Sequence, residues 1–489
     1  MVGGTTTPGW LHVRCISQLT GKALSVSLVM LVMMIGFLEG SGISGEIDKK
    51  VSVSDLLHEA GIRATALRKG FQLKVLPLIA VAQAKARASS AARANFQLSR
   101  DLLLASADDT GGFPNRELLV VEGLAQLGIA QATAGMSDDA TDTFHDAVTR
   151  ASKIADYGTR LLAYSSIAAG QILAGQNLAA ESTLDSLDLK MKEGKEDRSS
   201  LVRVTRTIGD AYLTKGNTKQ AKWYWTKTVR LARNSLNVSP DGPSRSQMLL
   251  DLVTVQAKMA DFTGVKETFQ KIRNGPNPID PIHAAVEIAA TFRDSRQFQL
   301  AHEWIERART LAMRQQLKVQ NGKTLEGPTI WKRIALTYAE LGYVDQAVAA
   351  NRMIAFAPFR MSTPGYQAIA DLNAGNLRSA LEHLRVAGSE HIDLMADLTQ
   401  KLAKTGDLET ANISFNLLND AMQASSLTNV EEKPGTREDP SAFLQTIRAL
   451  ATAKASHEGI AAAEKWVRAF SAMEAQVYGL LGAVEGTLS

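Results

Sequence analysis

From about residue 70 onward, stretches in which apolar residues recur with helical spacing alternate with polar breaks that carry proline and glycine. The breaks fall at Asp108 to Asn115, Lys190 to Arg198, Ser235 to Ser246, Arg273 to Pro281, Gln320 to Pro328, Pro358 to Pro364 and Ser425 to Pro440. Eleven of the thirteen prolines lie in or beside them, and Pro114, Pro281, Pro328, Pro364 and Pro440 stand just before a new apolar-periodic stretch. Proline at a helix start gives up no intrahelical bond, whereas inside a helix it costs about 3 kcal/mol, so these positions predict helix boundaries. Pro77 is expected to open the first repeat helix. Alanine is the dominant small residue and β-branched runs bounded by turn residues are nearly absent, so the expectation is helix throughout and no sheet.

Between the breaks one plan recurs: an apolar-periodic helix, a glycine, an alanine five residues later, and a large apolar residue four further on. Gly135, Ala140 and Phe144 form one copy; Gly175, Ala180, Leu184 and Gly216, Ala221, Trp225 form two more. Gly375, Ala380, Leu384 and Gly406, Ala411, Phe415 occur later in the chain, and a degenerate copy lies around Phe262 to Phe269. Such an arrangement describes a helical hairpin, in which glycine ends the first helix in a left-handed turn and alanine lets the second approach it closely. A hairpin cannot bury its apolar faces alone, so the copies must stack into an array.

Two copies carry further detail. One reads Trp331, Ile334, Ala335, Tyr338, Gly342, Ala347, and another Ile208, Gly209, Tyr212, Gly216, Ala221, Trp225. These residues and spacings resemble the tetratricopeptide repeat family, and looser copies run through Leu127, Gly128, Gly135, Ala140, Phe144 and through Ile288, Ala289, Ala301, Ile305. The likeness covers roughly residues 75–470 and departs from the family's repeat of about 34 residues by longer loops. It implies an all-α solenoid of about nine or ten antiparallel helix hairpins, a tetratricopeptide-like superhelix whose first helices line a concave surface.

Composition narrows the chemistry. The 489 residues are 45% apolar and 21% charged, which is ordinary for a folded protein, and the formal net charge of +4 is too small to argue for a nucleic-acid or membrane-surface protein in bulk. The single cysteine, Cys15, lies near the N-terminus, which leaves the repeat region without a disulfide, a thiolate nucleophile or a cysteine metal site. Arg14 and Lys22 precede an apolar stretch from Ala23 to Leu38 and the small residues from Gly40 to Gly45, the layout of a secretory signal. A stretch of sixteen residues is shorter than the roughly 20 that span a bilayer, so cleavage is preferred over a permanent anchor, and the chain beyond residue 45 is expected to be soluble.

Motifs for chemistry fail on context. Gly40, Gly42 and Gly45 imitate a dinucleotide fingerprint without the strand and helix it needs, and Gly322, Lys323, Thr324 imitate a phosphate loop with Leu317 where glycine is required. His302, Glu303 and Glu306 lack the second histidine of a zinc motif. No cofactor, metal or catalytic group is assigned, and the protein is not expected to be an enzyme. The strongest local feature is the segment Arg198 to Arg233, with nine basic residues against Asp210 alone and Trp223, Tyr224 and Trp225 inside it.

The sequence is therefore read as a signal or membrane tether over 1–45, a linker or short helix over 46–74, the repeat array over 75–470, and a capping helix over 471–489, where Val477, Leu480, Leu481 and Val484 close the last hairpin. The expected function is an exported scaffold, periplasmic or extracellular, that holds proteins or peptides in its groove. The candidate partner-binding residues are Arg203, Arg206, Asp210, Lys219, Lys222 and Trp223, with the first three on the concave surface that the resemblance implies. An acidic peptide or a polysaccharide suits this patch; nucleic acid is the least favoured ligand of an exported chain. The alternatives are a polyanion-binding protein and, behind it, an α-superhelical cell-wall enzyme.

Overall fold

The computed structural model describes residues 52–108, 116–193, 198–236, 243–275, 280–319, 327–354, 360–388, 391–428 and 441–488. The signal or tether, Cys15, Gly40 to Gly45 and Gly322 to Thr324 lie outside the described residues. Those described are all-α, with 22 helices that pack in adjacent pairs and no strand among them. Helix α1 spans Val53–Thr65. Ten hairpins come after it: α2 Lys69–Lys85 with α3 Ser89–Asp108, α4 Arg116–Thr133 with α5 Ser137–Lys153, α6 Tyr157–Ala174 with α7 Asn177–Glu193, α8 Arg198–Thr214 with α9 Thr218–Leu236, and α10 Pro243–Lys258 with α11 Phe262–Arg273. The series continues as α12 Asp280–Asp294 with α13 Phe298–Val319, α14 Gly327–Glu340 with α15 Val344–Arg352, α16 Thr363–Ala374 with α17 Leu377–Ala387, α18 Ile392–Thr405 with α19 Leu408–Thr428, and α20 Ser441–Glu458 with α21 Ile460–Arg468. Helix α22, Met473–Leu488, ends the array. Pro77 does not open a helix: it stands inside α2, which begins eight residues earlier at Lys69.

Nine of the ten hairpin tips share one recipe, the exception being Gly459 between α20 and α21, whose φ of 92° comes with an extended ψ of 159°. Gly135, Gly175, Gly216, Gly342, Gly375 and Gly406 turn the chain with φ between 75° and 86°, a conformation open to glycine at no steric cost. Arg87, Ala260 and Arg296 occupy the same place with φ of 62°, 57° and 58°, which is why a glycine-anchored pattern does not register their copies. Left-handed backbone costs an ordinary residue about 1–2 kcal/mol, and it is tolerated here because the packing of both helices dictates the turn. Five residues after each tip come Ala92, Ala140, Ala180, Ala221, Val265, Ala301, Ala347, Ala380 and Ala411, all at most 1% exposed. Four residues further on, a large apolar side chain fills the space between the helices in eight of these hairpins, and Asn351 takes the place after Ala347. Phe144 is one such residue, and its ring lies against Gly128 and Gly170; Trp225 lies against Gly209, where a Cβ would come within 2.5 Å of the indole.

The helices form two layers. Even-numbered helices pack side by side along the array, α20 on α22 most closely and α4 on α6 and α6 on α8 after it, whereas odd-numbered ones are splayed and meet mainly through long side chains such as Arg93 with Asp139. The even helices therefore form the inner layer of a curved stack, and the outward clefts lie between successive odd helices.

The ends of the array meet. Helix α22 packs on α20 and α2 in the inner layer and takes α1 as its outer partner, so an eleventh hairpin is assembled from the first and last helices. Leu56, Leu57, Ala60 and Ala64 of α1 face Val477, Tyr478, Leu481 and Val484 of α22, none of them more than 2% exposed. Arg468 bridges to Glu59 at 2.8 Å, Arg63 joins the same carboxylate, and Arg63 also donates to Gln476. Burial raises the Glu59 carboxyl, but the two guanidiniums outweigh it and hold it below the usual range. On the other side of α22, a Cβ at Gly482 or Gly486 would fall 2.2 or 2.1 Å from the carbonyl oxygens of Arg448 and Thr452, so α20 and α22 touch backbone to backbone.

Two substitutions check this account. Ala260→Gly relieves the left-handed turn and should raise stability by about 1 kcal/mol in urea unfolding, with no change in helix content. Gly482→Ala should force α22 away from α20, lower the Tm and speed amide exchange in α1 and α22 ahead of the other hairpins; uniform exchange across the array would refute the described closure.

Candidate functional site

The basic segment that stands out in the sequence is divided by the fold between two surfaces. Arg206 and Asp210 belong to the inner layer, where the charges of α8 are paired with those of α10. Arg206 bridges to Asp251, whose side chain is 3% exposed, and Lys258 Nζ reaches Asp210 Oδ1 at 2.8 Å. Trp225 Nε1 donates to the same Asp210 oxygen at 3.1 Å. Burial pushes the Arg206 guanidinium down, yet Asp251 and Asp210 more than reverse it, so the group stays charged. The same cross-helix stitching recurs where Arg293 meets Glu340 and Arg333 meets Glu287 between α12 and α14, and where Arg448 Nε meets Glu485 at 2.8 Å between α20 and α22. Arg206 and Asp210 are thus joined to structural partners. Arg203, one turn earlier on α8, is exposed and makes no ion pair among the described residues.

Lys219, Lys222 and Trp223 lie on α9, in the outer layer. Helical spacing turns Ala221, Trp225, Thr228 and Ala232 inward, which leaves Lys219, Lys222, Trp223, Thr226, Lys227 and Arg230 as a stripe facing out. This stripe forms one wall of a groove of about 790 Å³ against α7, which contributes Glu181, Leu184 and Asp185. Tyr212 and Tyr224 complete the lining, stacked on each other with ring centroids 5.6 Å apart. Burial raises the Tyr212 hydroxyl, and the nearby Glu181 carboxylate adds to it. Trp223 is 54% exposed, meets Tyr224 edge-on at 4.6 Å, and carries Lys227 Nζ over its ring at 5.4 Å. Lys219, Lys222 and Arg230 make no ion pair among the described residues.

A second outer cleft, between α17 and α19, shows what is unusual about the first. Its Arg385 pairs with Glu382 at 2.8 Å and its Arg378 with Asp407 at 3.2 Å, so its charges are matched locally. In the α7–α9 groove the acidic and basic groups stand on opposite walls instead.

Glu181 and Asp185 are groove residues that sequence reasoning missed. The repeat register held the signal: the tips at Gly175 and Gly216 are equivalent, which places Glu181 level with Lys222 and Asp185 level with Thr226 on adjacent outer helices. His302 and Glu306 sit within α13, with His302 Nε2 4.0 Å from Glu306 and Arg309 on its other side at 3.7 Å. Among the described residues no three His, Cys, Asp or Glu side chains gather in a way that could hold a metal ion.

No protein-family model matches the chain, and no curated protein matches it. Among solved structures, the chain is similar to Ton1535 from Thermococcus onnurineus NA1, with 11% identity and a TM-score of 0.30 over 71% of this chain and 97% of that one. It is also similar to a Rap protein complexed with competence and sporulation factor, at 11% identity and a TM-score of 0.28 over 75% of this chain and 98% of that one. The apo form of RapI gives 10% identity and a TM-score of 0.30, covering 76% and 98%.

The division of the basic segment is testable by stability alone. Arg206→Ala leaves the buried Asp251 carboxylate without its guanidinium and should cost about 2–4 kcal/mol in chemical unfolding, whereas Arg203→Ala should stay within about 0.5 kcal/mol of the parent.

Proposed function

We propose that the protein is an interaction scaffold that binds a partner protein through the outer face of α9, and that residues 1–45 direct it out of the cytoplasm. The observation that carries this reading is a basic and aromatic stripe in which Lys219, Lys222 and Arg230 have no ion-pair partner among the described residues while Trp223 stands exposed beside them. Aromatic and arginine side chains with a basic rim are the groups that anchor protein interfaces, and long-range attraction from unpaired charge speeds the encounter. A protein segment bearing carboxylates suits the stripe better than a polysaccharide, because sugar stacking needs an open aromatic face and Lys227 already covers one face of Trp223. Binding, rather than catalysis, is the activity assigned.

The test is fluorescence anisotropy of the full chain with a labelled Glu-rich peptide, repeated for a variant in which Lys219, Lys222, Lys227 and Arg230 are replaced by alanine. Binding should weaken with salt and fall at least about tenfold in the variant, while Arg203→Ala leaves it unchanged. Undiminished binding by the fourfold variant overturns the assignment to α9, and retention on heparin with no affinity for the peptide favours the polyanion reading.

A further inference from the structure

The α7–α9 groove holds more information than a basic stripe, because its two walls carry opposite charge. Glu181 and Asp185 are one helical turn apart on α7 and share a face; Lys219, Lys222, Lys227 and Arg230 face them from α9. Between the walls the lining is apolar and aromatic, formed by Leu184, Tyr212, Tyr224 and the exposed ring of Trp223. We propose that this groove takes an amphipathic α-helix of the partner protein, with its apolar face on the aromatic floor, its acidic edge toward α9 and its basic edge toward α7. The inference rests on the reading of α9 as the partner-binding face and adds the form and charge pattern of the occupant.

Three observations favour a helix. The walls are themselves helices whose main-chain groups are bonded internally, so an extended peptide would meet no backbone partner for its own N–H and C=O groups, whereas a helix satisfies them itself. The cleft exists because the curved inner layer spreads the outer helices, and a third helix is the element whose ridges fill the space between two others. The stripe from Lys219 to Arg230 runs for about 16 Å along α9, the length of three turns of a docked helix with anchors at i, i+3 or i+4, and i+7. The charge pattern ranks a uniformly acidic helix below one with opposite edges, since its second edge would lie against Glu181 and Asp185.

Three labelled peptides of about 18 residues, the length of five helical turns, test this by anisotropy on the full chain. The first is a lactam-stapled helix with a leucine face, one glutamate edge and one lysine edge; the second has glutamate on both edges; the third is the first one scrambled so that no amphipathic helix forms. The first should bind at least about tenfold tighter than the other two. In the variant E181K/D185K the order of the first two should reverse. If the doubly acidic helix binds the parent chain as tightly as the first, or the variant keeps the parent's order, the groove reads negative charge alone and the helix proposal falls while the α9 assignment stands. If the scrambled peptide binds as tightly as the first, helical form is irrelevant and the proposal also falls. Failure of all three beside normal binding of the Glu-rich peptide removes only the helix proposal, and failure of that peptide as well removes both.

Discussion

Close approach between the two helices of a hairpin, across a residue no larger than valine, is the contact on which the rest of the array depends. Where Ala140 or Ala221 sits, nothing bulkier fits without parting the helices, and Phe144 or Trp225 one turn later then has a defined slot. Each hairpin so formed is flat and apolar on both sides, which obliges the next to stack on it. Curvature stems from the same contact, because inner helices that touch and outer helices that do not cannot lie in a straight row.

Curvature gives the two layers different chemistry. Inner helices lie close enough for charges on neighbours to meet, and Arg206 with Asp251, Arg293 with Glu340 and Arg448 with Glu485 are the result: partly buried ions whose loss of hydration is offset by a partner on the next repeat. Outer helices stand farther apart, so only some long side chains, such as Arg93 with Asp139 and Arg378 with Asp407, bridge them, and other charges face solvent or one another across clefts. At α7 and α9 this leaves a basic wall opposite an acidic one over an aromatic floor.

The hairpin plan was legible because glycine at the tip and alanine five residues on are forced by geometry and recur in the chain. It was clearest where the tip is glycine; Ala260 and Arg296 adopt the same turn and left only the degenerate copy around Phe262 to Phe269 and the looser one through Ala301, and Arg87 left none. The closure was hidden for a different reason. Leu56, Leu57, Ala60 and Ala64 mark α1 as an amphipathic helix, but amphipathicity names a buried face and not its partner, which lies more than 400 residues away as Arg63 and Gln476 do. Of the candidate site, Lys219, Lys222 and Trp223 could be read as one exposed stripe from helical spacing alone. Arg206 and Asp210 share the same basic segment, and their pairing depends on α10, 45 residues further on for Arg206 and 48 for Asp210.

The meeting of α1 with α22 has a consequence for how the chain is made. Helix α1 is among the first to be synthesised and must wait for the last one before Leu56 and Leu57 are covered. Every hairpin from α2 to α21 can settle against a neighbour already present as it emerges, while this one pairing spans nearly the entire array and carries the greatest loop-closure entropy. A growing polypeptide therefore passes through a long period as an open arc with one sticky end, and it is during that period, rather than in the finished molecule, that a holding chaperone would find something to grip.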